Sequence, residues 1–220
     1  MKVDKCAKAA EGYKKGIAYA IEKLQFCNAA LYIDAGHGGW LGWDTNLEPA
    51  AKLFAEVLKL AKGGKVRGLA TNVSNYNAYK ATVPEKFTSG DNSWDESHYV
   101  NNLAPLLKKY DFPQHFIIDV GRNGQLDIRS SWSEFCNIKG AGFGQRPTTD
   151  TKDALVDALV WVKPGGESDG SSNSTSPRFD KSCTGPTSKL GAPEGGEWFN
   201  EYVVDLVKNA NPPLPTSLYH

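Results

Sequence analysis

The sequence predicts an α/β fold whose strands run parallel, in an open sheet or a barrel. Three observations carry this. Short apolar runs at residues 31–33, 66–73, 115–119 and 154–162 alternate with stretches whose apolar residues recur at helical spacing. Alternation of that kind marks strand–helix–strand units. Each run also empties into a polar exit rich in Gly, Asn or aromatic residues, and the C-terminal ends of parallel strands are where such folds bind ligands. Four parallel strands are too few to close a barrel.

Residues 4–25 set Ala9, Tyr13, Ile17, Ala20, Ile21 and Leu24 on one face of a helix. Leu31, Tyr32 and Ile33 form the first strand, which breaks into a stretch holding Gly36, Gly38, Gly39 and Gly42. Glycines at that density cost a helix about 1 kcal/mol each, so the stretch reads as a loop. It displays Asp34, His37, Trp40 and Trp43 at steps of three. Thr45 or Asn46 can cap the next helix, with Glu48 in its first turn and Pro49 near its start. Leu53, Phe54, Val57, Leu58 and Leu60 supply its apolar face, and Gly63-Gly64 end it. VRGLATNV, 66–73, is the second strand, leaving through SNYNAY. Residues 81–96 read as a loop and 97–110 as a helix that Pro105 is expected to kink. HFIID, 115–119, is the third strand and exits through VGRNG. After loop and partial-helix material, the fourth strand closes on LVWV. A long Gly/Ser/Pro-rich loop spans 163–196, and a helix over 198–208 follows. No internal repeat is evident.

At 220 residues and 40% hydrophobic content the chain can bury one good core. Its 25 basic and 25 acidic residues balance with no basic stripe, which argues against nucleic acid as a partner. No apolar run approaches a membrane span. MKVDKCAKAAEGYKKG is not a signal peptide, since no apolar core follows the lysines. Cys6, Cys27, Cys136 and Cys183 have no CxxC spacing, so no metal site is expected. Sequons stand at Asn72, where a strand ends, and at Asn173, in a polar loop.

Two indoles among polar neighbours suit a flat ligand with an apolar face and hydroxyl edges, as a sugar chain has. Acidic groups at strand exits are Asp34, Asp119, Glu167 and Asp169, the last two in WVKPGGESDG beside Lys163. Hydrolysis of a glycosidic bond with inversion needs two carboxyl groups about 6.5–9.5 Å apart, with room for water between. Each residue also has a plainer reading. Asp34 can cap a turn or pair with Arg67 or Arg122. His37 can be a structural hydrogen-bonder, and Trp40 and Trp43 can be core. GAGFGQR imitates a phosphate loop but lacks the preceding strand and the Lys-Ser that should follow.

YIDAGHGGWLGW, RGLATNVSNYN, DVGRNG, FCNIKGAGFGQRP, LVWVKPGGESDG, PRFDKSC and WFNEYVVDLVKNANPPL together resemble the C-terminal part of fungal cellobiohydrolases of glycoside hydrolase family six. The similarity runs in order from Cys6 to Leu214. It implies that 1–220 is part of one catalytic domain: an incomplete, distorted parallel β/α barrel with about four of the barrel strands, in which 163–196 roofs a sugar tunnel. The implied activity is inverting, exo-acting hydrolysis of β-1,4-glucan with release of cellobiose. The implied protein is extracellular and monomeric, takes cellulose or cello-oligosaccharides, and needs no cofactor.

By this resemblance Asp169 is the proposed base and Asp34 a supporting carboxylate. Trp40 and Trp43 stack on glucose rings, His37 and Asn75 contact sugar hydroxyls, and Lys163 and Glu167 hold the sugar at the cleavage point. Cys136 and Cys183 match a disulfide anchoring the roof loop, which implies an oxidising compartment. Phe135 stands where the family commonly has a stacking Trp, which keeps ring stacking with less area. Cys6 matches a half-cystine whose family partner lies upstream, and Cys27 is an addition, leaving a Cys6–Cys27 bridge open. The family's general acid sits in a Tyr-x-x-Pro-x-Arg-Asp-Cys motif that these 220 residues do not contain. The expectation is therefore weak or no activity from this polypeptide alone. The alternative is a catalytically dead glucan-binding fragment.

Overall fold

The computed structural model describes residues 3–215. Four strands, β1 (Tyr32–Asp34), β2 (Gly68–Thr71), β3 (Phe116–Asp119) and β4 (Val156–Val160), form one sheet in the order β1-β2-β3-β4, every pair parallel. Registers are Ile33 with Leu69, Ala70 with Ile117 and Ile118 with Leu159. All four residues of β2 are buried, as a central parallel strand requires. Gly68 is needed there because a Cβ would lie 1.8 Å from the His115 carbonyl oxygen.

Helices α1 (Asp4–Lys23), α3 (Asp44–Leu60), α4 (Glu96–Lys109) and α5 (Asn200–Lys208) occupy the expected stretches, with ends one or two residues displaced. The main core lies between the sheet and α1, α3 and α4, built on Ala51, Leu69, Val100, Leu103, Leu107 and Phe116. A second, smaller core of Tyr76, Ile138, Phe199, Tyr202 and Leu206 seats α5 against the β2 exit and the connection after β3. Pro105 lies inside α4, which runs on through it to Lys109.

The glycine-rich exit of β1 is not all loop. Gly38–Leu41 make one helical turn, α2, closed by Gly42 N–H donating to Gly38 O at 2.8 Å. Propensity argued against it, but packing decides here: a Cβ on Gly39 would meet the Trp132 ring at 2.1 Å. The helix α3 begins at Asp44, after Trp43, with no side-chain cap from Thr45 or Asn46. Cys136 and Cys183 are bridged, 47 residues apart, and the bridge ties the 163–196 loop to the connection after β3. Cys6 and Cys27 are free and exposed. They stand at opposite ends of α1, roughly 30 Å for a helix of this length, so the bridge between them left open by the sequence does not form.

One side of β1 has no strand neighbour among the described residues. Beside it, α1 and α3 leave an apolar hollow of about 490 Å³ lined by Ala9, Tyr13, Ile17, Ile33, Leu53 and Phe54. At the N-terminal edge of the sheet, Asp157 of β4 accepts from Arg67 Nε and Nη2 at 2.9 Å each and from the Tyr32 hydroxyl at 2.7 Å. His115 Nδ1 lies 3.1 Å from its other oxygen. One carboxylate thus clasps residues at the start of all four strands.

The Arg67 hydrogen bonds, with Tyr32 and His115 adding, hold Asp157 down to about 2 from an ordinary 3.8. A depressed carboxylate stabilises the fold above its unfolded pKa and loses that contribution as pH falls toward the folded one. Asp157→Asn should therefore lower the melting temperature at pH 6 and close the gap with the parent between pH 4 and 2. Arg67 is half exposed, so screening keeps the effect small. Cys183→Ser should cost about 4 kcal/mol in urea denaturation, the chain-entropy value for a loop of this length.

Candidate active site

The strand exits meet on the C-terminal edge. Asp119, last residue of β3 and buried, accepts the backbone N–H of Gly121 at 2.9 Å on Oδ1 and those of Ser74 and Lys163 at 3.1 Å each on Oδ2. Its own carbonyl accepts the Asn72 amide at 2.8 Å. Asn72 is fully buried and so committed, which closes that sequon to modification; Asn173 is exposed.

With Lys163 fixed by its main chain, the turn after it delivers Lys163, Glu167 and Asp169. Asp169 Oδ2 accepts from Arg122 Nη1 at 2.6 Å, from the Tyr76 hydroxyl at 3.1 Å and from Asn137 N–H at 2.9 Å. Among the described residues, Oδ1 takes no hydrogen bond and faces the Lys163 ammonium, 3.5 Å away. Lys163 is also 3.8 Å from Glu167. The side chains of Arg122 and Asp169 are 1% and 8% exposed, so this is a largely desolvated ion pair. Arg122 also donates to Ser74 O at 2.6 Å and lies over the Tyr76 ring at 4.4 Å. Burial pushes the Tyr76 phenol well above its ordinary 10, so it stays a neutral donor to Asp169. The chemical consequence is an asymmetric carboxylate: one oxygen saturated by three donors, the other with acceptor capacity to spare.

The β1 and β2 exits join this cluster from the other side. Asn75 Oδ1 accepts from Arg129 Nη1 at 2.9 Å, and Asn77 Oδ1 from Arg129 Nη2 at 2.7 Å. Asn77 Nδ2 lies 3.4 Å from His37 Nδ1. Burial first, and then the charge of Arg129, lower the His37 pKa to about 4, so the ring is neutral in ordinary buffers. Trp132 sits 5.9 Å from His37 between ring centroids and takes Phe87 edge-on at 5.2 Å. Trp40 is 61% exposed, and Trp43 is half-buried with its indole N–H donating to Gly39 O at 3.0 Å. Neither indole is interior. Phe135 is 41% exposed, directly before the disulfide.

No hydrogen bond or shared partner links Asp34 to Asp169 among the described residues. Asp34 pairs with neither Arg67, which Asp157 takes, nor Arg122, which Asp169 takes. Its Oδ1 accepts Gly36 N–H at 2.8 Å, the turn-capping role. The residue as a whole is exposed, yet the carboxyl itself is partly desolvated, which raises its pKa, and the charge of Asp119 adds to this. Trp40 lines a hollow with Asp34, Leu41, Pro49 and Leu53. A chain of contacts thus runs from Trp40 and His37 through Asn77, Arg129, Asn75 and Tyr76 to Asp169 and Lys163. Sequence reasoning missed Tyr76, Asn77, Arg122 as partner of Asp169, Arg129, Trp132 and Asn137. Only SNYN and GRNG, polar runs at strand exits, carried any signal for the first three.

Residues 1–210 match the family described as Glycosyl hydrolases family 6. The chain is 53% identical over 215 residues to "Exoglucanase 3" of Agaricus bisporus, covering 97% of this chain and 49% of that protein. It is 52% identical to "Probable 1,4-beta-D-glucan cellobiohydrolase C" of Aspergillus terreus, covering 96% of this chain and 46% of that protein. The chain therefore spans about half the length of these relatives. A crystal structure of a glycoside hydrolase family 6 enzyme from Coprinopsis cinerea superposes with a TM-score of 0.95 at 56% identity, over 98% of this chain and 60% of that one. Cellobiohydrolase II from Humicola insolens, in complex with glucose and cellotetraose, gives 0.94 at 48% identity over 97% and 60%. The four-stranded sheet is accordingly an incomplete, distorted α/β barrel, and the chain belongs to glycosyl hydrolase family 6.

Proposed function

We propose that the chain is part of an inverting β-1,4-glucan hydrolase that releases cellobiose from cellulose outside the cell, and that residues 1–220 are a portion of its catalytic domain. The observation that carries this reading is the state of Asp169: one oxygen saturated by Arg122, Tyr76 and Asn137, the other free beside Lys163. Inversion needs a carboxylate that takes a proton from water as the water attacks the anomeric carbon, while an acid on the other side protonates the departing oxygen. Asp169 Oδ1 is the group suited to the first task, directly or through a water. Asp34 is a supporting carboxylate at the first strand's exit. Lys163 and Glu167 hold the sugar at the cleavage point, and His37 and Asn75 meet its hydroxyl groups. Trp40, Trp43 and Phe135 offer ring faces, and the loop closed by Cys136–Cys183 roofs the path. The names of the relatives and the cellotetraose complex of the Humicola insolens enzyme support a cello-oligosaccharide as the ligand. The protein acts as a monomer.

No residue of this chain falls in the family's general-acid motif. Without such an acid, hydrolysis loses about 10²–10⁴-fold in rate. The purified 220-residue chain should bind cellotetraose saturably, read by tryptophan fluorescence, and release cellobiose from swollen cellulose slower than a complete family member by about that factor. Trp40→Ala should weaken binding roughly tenfold, about 1.4 kcal/mol. Saturable binding with no turnover at all would favour a glucan-binding fragment; no binding would sink both readings. Cellobiose release at a complete enzyme's rate would refute the statement about the acid.

A further inference from the structure

One buried carboxyl has no part in the reading so far. Glu96, the first residue of α4, is fully buried where the exits of β1 and β2 meet. Its Oε1 accepts Gly38 N–H at 3.1 Å and Asn77 Nδ2 at 2.7 Å. Its Oε2 is buried with no hydrogen-bond partner, and so is the hydroxyl of Thr71. An unpaired buried carboxyl oxygen costs free energy and needs a reason.

The reason lies in what Asn77 does next. Its Oδ1 is committed to Arg129, so Nδ2 must face the other way, with one hydrogen on Glu96 and the second toward His37 Nδ1. His37 Nδ1 is then an acceptor, and a neutral imidazole that accepts on Nδ1 carries its proton on Nε2. We propose that Glu96 is a positioning residue of this site: by gripping Gly38 N–H and the Asn77 amide together, it locks the β1 exit onto the β2 exit and sets His37 as an Nε2–H donor. That His37 donates to a sugar hydroxyl rests on the glucan reading above; the locking does not.

Charge sharpens the idea. Facing Glu96 are Asp95, the residue before it, Tyr99 from its own helix and Arg129 from the connection after β3; the His37 ring lies beyond Asn77. Burial raises the Glu96 pKa to about 7, opposed by the Asn77 and Gly38 hydrogen bonds and by the nearby Thr71 hydroxyl, and Asp95 adds to the rise. Below that pH the neutral acid has an O–H to offer Thr71. Above it the junction holds a buried anion whose Oε1 accepts from Gly38 and Asn77. A raised carboxyl binds its proton more tightly in the folded chain, so the fold weakens as pH climbs from about 4.5 through about 7. Glu96→Gln keeps an oxygen for Gly38 and Asn77, puts an amide toward Thr71, and cannot ionise.

The test uses the full chain, labelled on histidine, with the parent, Glu96→Gln and Glu96→Ala compared. Imidazole ¹⁵N shifts report the His37 tautomer without any sugar. Expected are Nε2–H in the parent and in Glu96→Gln, mixed tautomers in Glu96→Ala, and, in the parent alone, a small ¹⁵N shift between pH 6 and 8 as the nearby Glu96 ionises. Cellotetraose affinity should fall roughly two- to tenfold in Glu96→Ala, the worth of one hydrogen bond, and stay near the parent's in Glu96→Gln. A parent tautomer other than Nε2–H, or a Glu96→Gln pH profile equal to the parent's, overturns the proposal. If Glu96→Ala does not fold, the parent and Glu96→Gln profiles still decide. If no sugar binds to any of the three, the glucan reading fails, and the nitrogen shifts alone judge Glu96.

Discussion

Everything at the strand exits depends on where Asp119 puts its two oxygens. Three backbone N–H groups, from the exits of β2, β3 and β4, converge on one buried carboxylate, and the Asn72 amide closes on its carbonyl. Such donors need no side chain of their own, so the exits can carry any residues the chemistry wants. A scaffold clamped through its main chain leaves Arg122, Lys163, Asp169 and Tyr76 free to serve the site. The opposite edge repeats the device with Asp157, whose partners are side chains. There the consequence is stability, which matches the division of labour between the two faces of a parallel barrel.

The Arg122–Asp169 pair is an expensive way to hold a fold. Burying two charges costs several kcal/mol per ion, and an apolar pair of the same shape is often as stable. Its geometry makes sense as pre-organisation. Three donors fix one carboxylate oxygen, and Tyr76 is itself set between Arg122 and Tyr202, whose hydroxyl lies 3.1 Å from its own. The remaining oxygen is aimed without having to reorganise when a substrate arrives.

How much of this could be read from the residues differs by level. The strands, their parallel sense and the four long helices were legible because period and punctuation agreed. The turn Gly38–Leu41 was not, since Gly39 is dictated by Trp132, 93 positions away, and Gly38 by the Ser93 carbonyl. Local propensity carries no trace of such a contact. Asp169, Lys163, Glu167, His37 and the two indoles were singled out by motif resemblance, and they stand at the exits of β1 and β4. Asp34 shows the limit: the residues alone left turn cap and site carboxylate level, and its hydrogen bond to Gly36 fits the first. Glu96 was hidden for a different reason. An acidic residue in a helix's first turn is so common as a dipole complement that nothing in the sequence marks one turned inward.

The central claim is that the exits from His37 to Asp169 form one sugar path. The direct measurement is diffraction from crystals of the chain grown with cellotetraose. The account predicts glucose rings along the C-terminal edge of the sheet, one ring face on the Trp40 indole and a sugar hydroxyl or water at Asp169 Oδ1. Sugar held in the hollow between α1 and α3, with the strand exits empty, would contradict it.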